Sequence, residues 1–278
     1  MIEKRWLLSV LLFLAAPAWA APLEFFSFED SVNEHGRWFQ QNAAGDSATD
    51  QRRIDLVEIA RDGRRGVRLT TLGYDVNVHS SGDSERSDMN LPDSASRIVE
   101  GAEQWWANSF YLPDSFVMPP QARPFFWYVL FQFHELGGQS RSQPPYIIEI
   151  VNDPRRGGPV LRLRGFDSHP PFGYAAYPLG NAAPKKNVWY DFVHYVKWSA
   201  GKDGVHKTWL RIGEGKRYEL VQDHRGPTMY AGGKGFAKLS NYHPQLGVPS
   251  SVIHDRVVLG SSPEEVAIPG VALEGLPQ

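Results

Sequence analysis

Cysteine is absent from this 278-residue chain, so neither disulfides nor thiolate metal sites hold it together. A surplus of one charge is also lacking. Lys and Arg number 29 against 31 Asp and Glu, a formal net charge of −2, which gives no reason to expect a nucleic acid or an anionic membrane surface as partner. Beyond the first twenty residues there is no uninterrupted apolar run of membrane-spanning length. No sustained helical period and no repeat of fixed length can be found either. What remains is short segments, punctuated by 26 Gly and 21 Pro and rich in aromatics at 13%.

Those first twenty residues read as a secretory signal peptide rather than as part of the fold. Lys4 and Arg5 form a short basic region, Trp6 to Ala16 an apolar run, and Ala18-Trp19-Ala20 a small-x-small cleavage site. Removing them leaves a net charge of −3 on residues 21–278. With cysteine absent, a periplasmic address in a Gram-negative bacterium fits this pattern, with full secretion as the alternative. Residues 21–278 are expected to form one domain, a soluble monomer.

Short alternating segments with turn residues between them predict an all-β fold. Strands are expected at Leu23–Phe28, Ile54–Ala60, Gly66–Thr70, Glu85–Met89, Gln104–Pro113 and Phe125–Glu135. Pro144–Val151, Val160–Phe166, Asn187–Ser199, Lys207–Ile212, Tyr218–Val221 and Phe236–Tyr242 follow, and Ser251–Leu259 is expected to close the sheet, with an irregular tail after Ser261. The architecture this predicts is a two-sheet antiparallel β-sandwich, a jelly roll of the concanavalin-like kind. Trp198 is expected in its core rather than against a sugar.

Phe131-Gln132-Phe133-His134-Glu135 organises the rest. Successive strand side chains point to opposite faces, so two rings anchor one side while Gln132 and His134 share the other. Taken alone, this is also how a half-exposed strand looks. Two further segments supply matching groups. In Glu85-Arg86-Ser87-Asp88-Met89, Arg86 and Asp88 share a face, and a guanidinium held by a carboxylate is suited to receive a second carboxylate. In Phe236 to Tyr242, Lys238 and Tyr242 have the same parity. Arg162 and Arg164 share a face on another strand and could line an anionic groove.

Together these groups suit β-elimination at a uronic acid in a polysaccharide. The C5 proton is too weakly acidic while the neighbouring carboxylate keeps its charge. Arg86 and Gln132 can stabilise the enolate-like dianion. His134 or an ionised Tyr242 can take the proton, and the Tyr242 phenol can protonate the departing oxygen on C4. No cofactor is required. Sulfated glycosaminoglycans call for a strongly basic groove, so a non-sulfated polyuronate such as glucuronan or alginate is the expected substrate. Arg155, Arg156, Lys185 and Lys186 could still cluster as a local basic patch.

Arg86-x-Asp88, Gln132-x-His134 and Lys238-x-x-x-Tyr242, in that order, resemble the jelly-roll polysaccharide lyases: alginate lyases, glucuronan lyases and the heparin lyase I group. Trp106 to Pro113, Val196 to Ser199 and Asp255 to Gly260 extend the likeness on the glucuronan and heparin lyase side, so it spans about Phe25 to Gly260. The resemblance implies Gln132 and Arg86 as carboxylate neutralisers and His134 as base or neutralising partner. It implies Tyr242 as acid, or as acid and base, and Lys238 as a substrate-orienting cation. Two positions depart from the family pattern. Asp88 stands where the alginate lyases carry Glu, and Ser240 where a glycine is usual.

Two other classes compete. A non-catalytic carbohydrate-binding sandwich would need no base. A sandwich-fold hydrolase would need two carboxylic acids, for which Glu149 and Asp153 are the nearest pair. His79, His169, His194, His224, His243 and His254 show no metal-ligand spacing and are expected at the surface or half-buried. Asp153 and Asp255 are expected as loop and strand-end residues, although a structural calcium would suit this architecture.

Overall fold

The computed structural model describes residues 21–42, 52–73, 84–136, 144–166, 174–179 and 183–276. The expected signal peptide, His79 and His169 lie outside the described residues. In chain order the strands are β1 (Glu24–Phe26), β2 (Phe39–Asn42), β3 (Ile54–Val57), β4 (Gly66–Thr71), β5 (Ser84–Leu91), β6 (Ile98–Val99), β7 (Glu103–Tyr111), β8 (Trp127–Leu136) and β9 (Tyr146–Asp153). They continue with β10 (Gly158–Phe166), β11 (Tyr174–Pro178), β12 (Trp189–Lys197), β13 (Val205–Ile212), β14 (Arg217–Arg225), β15 (Lys234–Pro244), β16 (Ser250–Gly260) and β17 (Ala272–Leu273).

One sheet has the order β17-β14-β13-β12-β7-β16-β4-β3, with β1 added on β16. The other runs β11-β10-β9-β8-β15-β5-β2, with β6 added on β15. Among the described residues only β14 and β17 pair in parallel. This is the expected antiparallel sandwich of jelly-roll type. Among the described residues no helix is long and apolar enough to cross a membrane.

Two expectations need correction. Ser251 to Leu259 does not close a sheet, because β16 lies inside the first sheet between β7 and β4. Its unbroken burial fits that place: an interior strand is covered on both faces, and even Ser250, His254, Asp255 and Arg256 are enclosed. The tail is not irregular throughout, since it contains a short helix at Pro263–Val266 and β17. Val266 and Leu273 cover Trp209 and Tyr218 on the outside of the first sheet.

The space between the sheets is filled with aromatic rings. Phe131 and Phe133 are fully buried, and Phe133 meets Trp106 and Trp198 edge-on at 5.6 and 5.2 Å. Trp198 is thus a core residue. The indole N–H groups of Trp106 and Trp198 both donate to Gln104 Oε1, at 3.0 and 2.7 Å. One buried amide therefore satisfies two buried donors.

The histidines expected at the surface or half-buried lie deeper than that. His194, His243 and His254 are fully buried and His224 nearly so. Each sits on an inward strand position and finds a partner there: His194 with Asn108 and Thr208, His243 with Thr71, His224 Nε2–H with Pro227 O, and His254 Nε2–H with Ser240 O.

Burial has a pH consequence. It pushes His194 down to about 3 and His254 down to about 4, and it holds His206 well below the ordinary imidazole range. The unfolded chain takes up protons near 6.5 that the folded chain refuses, so this stability is full above that value and is lost as pH falls through it. Between pH 7.5 and 5.5 His194 and His254, with His134, which burial also holds down at about 4, together lose about 4 kcal/mol, and His206 adds to that loss in the same direction. Asp255, pushed up to about 7 by burial, gains its proton in the folded state first and offsets about 2 kcal/mol of that. The expected result is a net loss of at least about 2 kcal/mol, read from denaturant midpoints at the two pH values. An equal or higher midpoint at pH 5.5 contradicts it.

Candidate active site

Three neighbouring strands of the second sheet carry the groups singled out in the sequence. Across β5 and β15, Arg86 lies opposite Tyr242, Asp88 opposite Ser240 and Asn90 opposite Lys238. Across β15 and β8, Lys238 lies opposite Gln132 and Phe236 opposite His134. Alternation then puts Arg86, Gln132, His134, Lys238 and Tyr242 on one face, where they line an open groove of about 860 Å³. Asp88 lies beneath them, fully buried.

Asp88 is the hub of the charges. Its Oδ2 is 3.2 Å from Arg86 Nε and 3.0 Å from Lys238 Nζ, so the shorter carboxylate still reaches both cations. Lys238 also donates to Gln41 Oε1 at 2.9 Å. Burial pulls the lysine's proton affinity down, while the Asp88 charge works against that. The Arg86 guanidinium lies 4.0 Å over the Tyr242 ring, and Trp127 meets that ring edge-on at 4.7 Å. Tyr242 is therefore fixed on two sides although Ser240 replaces the usual glycine.

His134 Nδ1–H donates to Glu135 O at 3.0 Å, because a carbonyl can only accept. The neutral ring thus keeps its lone pair on Nε2. Burial is the main force pushing this imidazole down to about 4, with the Lys238 and Arg86 charges adding to it. Phe236 stacks on the ring at 5.0 Å. The Gln132 side chain, nearly buried beside it, has no hydrogen-bond partner among the described residues.

Arg162 and Arg164 line the same groove two strands away, on β10. They are not free cations. Arg162 Nη2 and Arg164 Nε contact Glu149 Oε1 at 2.8 and 3.0 Å. Glu149 is thereby neutralised, and Asp153 instead accepts from Arg155 N at 2.9 Å in a tight turn. The acid pair that a hydrolase would need does not converge. Arg155, Arg156, Lys185 and Lys186 lie outside the groove. Asp255 is not a strand-end residue either. It sits within β16 and accepts from the backbone N–H groups of Arg61, Asp62 and Arg256 at 2.6, 2.9 and 2.7 Å. Among the described residues no group of three or more His, Cys, Asp or Glu could hold a metal ion.

The sequence reading missed Gln41, Phe125, Trp127 and Phe236 in the groove lining. Trp127 was hidden by a bulge. Val129 lies opposite Glu149 and Phe131 opposite Ile148, so Leu130 is one residue too many on β8. Simple alternation back from Phe131 sends Trp127 to the core. The bulge turns Val129 and Trp127 outward instead, a frequent way of re-aiming side chains beside a site.

A family model described as polysaccharide lyase matches residues 33–256. The chain belongs to the polysaccharide lyase family. Solved structures with the same fold include an endo-β-1,4-glucuronan lyase from the fungus Trichoderma reesei (TM-score 0.55, 19% identity, 77% of this chain and 88% of that one). The exolytic alginate lyase of Zobellia galactanivorans matches with TM-score 0.55 and 11% identity over 87% of this chain and all of that one. A marine alginate lyase from Aplysia kurodai matches with TM-score 0.51 and 11% identity over the same shares. No curated protein sequence matches the chain. This polysaccharide lyase is thus an enzyme whose groove face carries the amide, imidazole, phenol and cations described above.

Proposed function

We propose that this lyase cleaves a non-sulfated polyuronate, glucuronan or alginate, by β-elimination. The observation that carries the reading is the meeting of four groups on one face: the unbonded Gln132 amide, the Asp88-held Arg86, the His134 lone pair and Tyr242 beneath Arg86. Gln132 and Arg86 receive the uronate carboxylate and stabilise the charge that grows on it when C5 loses its proton. His134 Nε2 takes that proton, and a bound carboxylate beside it raises the imidazole's low proton affinity. The C5–H electron pair becomes the C4–C5 double bond, the C4–O bond breaks, and the Tyr242 phenol protonates the departing oxygen. Lys238 orients the sugar from the other side of Asp88.

The groove's charge supports a polymer with one carboxylate per sugar. Arg86, Lys238, Arg162 and Arg164 share the site with Asp88, Glu149 and Glu135, which leaves only a small positive excess. A sulfated glycosaminoglycan would meet too few unpaired cations. The glucuronan and alginate lyases that share the fold act on polymers of this kind. The basic and apolar pattern from Lys4 to Ala20 supports export.

A UV absorbance screen against glucuronan, polymannuronate, polyguluronate, hyaluronan and heparin tests this directly, since only elimination creates a conjugated double bond. Absorbance should rise on glucuronan or on one of the two alginate blocks. A rise confined to heparin or hyaluronan would overturn the substrate assignment. Silence on all five would sink the β-elimination reading itself.

A further inference from the structure

Phe125 stands in an unusual state for an aromatic residue. It is 63% exposed, it lines the groove beside Trp127 and Val151, and its φ is +61°. Left-handed backbone is unfavourable for a bulky residue and persists only where the surroundings enforce it. Here they do. The Asn152 side chain, nearly buried on β9, donates to the carbonyls of Pro120, Gln121 and Arg123 at 3.0, 3.1 and 3.0 Å. Its backbone accepts from Phe125 N–H at 2.9 Å and donates to Phe126 O at 2.8 Å. Phe126 turns inward against Tyr128 and His243, with Arg123 over its outer face. The segment 119–124 is thus a pinned turn. It buries one phenylalanine and presents the next to the groove.

We infer that Phe125 is a sugar-stacking residue, and that Asn152 is the positioning residue that holds it there. The inference rests on the polyuronate reading above. A pyranose has an apolar C–H face that packs on an aromatic ring, and such rings supply contact area at low entropic cost. Phe125 is placed to cover a ring lying at the Trp127–Tyr242 end of the groove. The strain at its backbone and its exposed surface are both unfavourable in the free protein. Covering by a sugar recovers the second and gives the first a use.

The test measures affinity and stability separately. Titration calorimetry with glucuronate and alginate oligosaccharides, together with initial rates on the polymer that the wild type cleaves, is carried out on Phe125→Ala, Phe125→Tyr, Phe125→Gly and Asn152→Ala. Phe125→Ala and Phe125→Gly are expected to weaken binding and raise KM about tenfold, with kcat within a factor of two. Phe125→Tyr should restore both. Phe125→Gly should keep or raise Tm, because glycine accepts this φ without strain. Asn152→Ala should share the KM increase and lower Tm. Unchanged affinity in Phe125→Ala, or a fall in Tm and kcat together in Phe125→Gly, would overturn the assignment. Failure of the polyuronate reading would show in the wild type itself, which would then release no double bond and bind no uronate oligosaccharide.

Discussion

Tyr242→Phe is expected to lower kcat about 10³-fold while leaving KM within a few-fold of the wild type. The substitution removes one oxygen and little else. The ring still lies 4.0 Å under the Arg86 guanidinium and edge-on to Trp127, so the register of β15 against β5 and β8 and the shape of the groove persist. What is lost is the proton that the proposed mechanism delivers to the oxygen on C4. Without it the leaving group departs as an alkoxide, which is a far higher barrier than departure as a neutral hydroxyl. The carboxylate-binding groups remain, so the substrate still binds. Initial rates of double-bond formation and titration with an oligosaccharide separate the two effects. A loss of less than tenfold would show that a group other than Tyr242 supplies that proton. A large KM increase with kcat intact would make Tyr242 a binding residue instead.

Alternation makes this candidate site legible in the sequence. Gln132 and His134, Arg86 and Asp88, and Lys238 and Tyr242 each share parity within a strand, and the three strands lie side by side. Fold class followed from the same signal, because short alternating runs between glycine and proline turns leave few architectures open. The missed residues have physical causes. Trp127 was masked by the Leu130 bulge, which a period-2 reading cannot see. Gln41 sits on a four-residue edge strand with a polar sequence, Phe39–Asn42, that carries no apolar alternation at all. The buried histidines read as surface or half-buried residues because their partners, Asn108, Thr208 and the Ser240 carbonyl, come from distant segments. Arg162 and Arg164 share a face as expected, yet Glu149 on the neighbouring strand takes up much of their charge. A single strand's pattern does not reveal what stands opposite it.

Asp88→Asn is expected to cost about 3 kcal/mol of stability, the lower end of what breaking a buried ion pair removes. The side chain keeps its shape, so no cavity forms and the whole effect is electrostatic. Asp88 is fully buried between two cations, and Lys238 is itself almost without solvent. With the carboxylate gone, Arg86 and Lys238 repel each other, and nothing opposes the burial that already pulls the lysine's proton affinity down. Lys238 then sheds its proton more readily, and Arg86 loses the contact that fixes it over Tyr242. Activity should fall along with stability, since the guanidinium proposed to receive the uronate carboxylate is no longer held. Thermal unfolding reads the first effect as a Tm drop of about 6–12 °C for a chain of this size. The cause is separated by a cycle with Lys238→Met: removing the second buried cation should recover a large part of the lost stability but none of the lost activity. If the double variant is as unstable as the sum of the two single changes, the two groups do not interact, and Asp88 is not the hub that the geometry makes it.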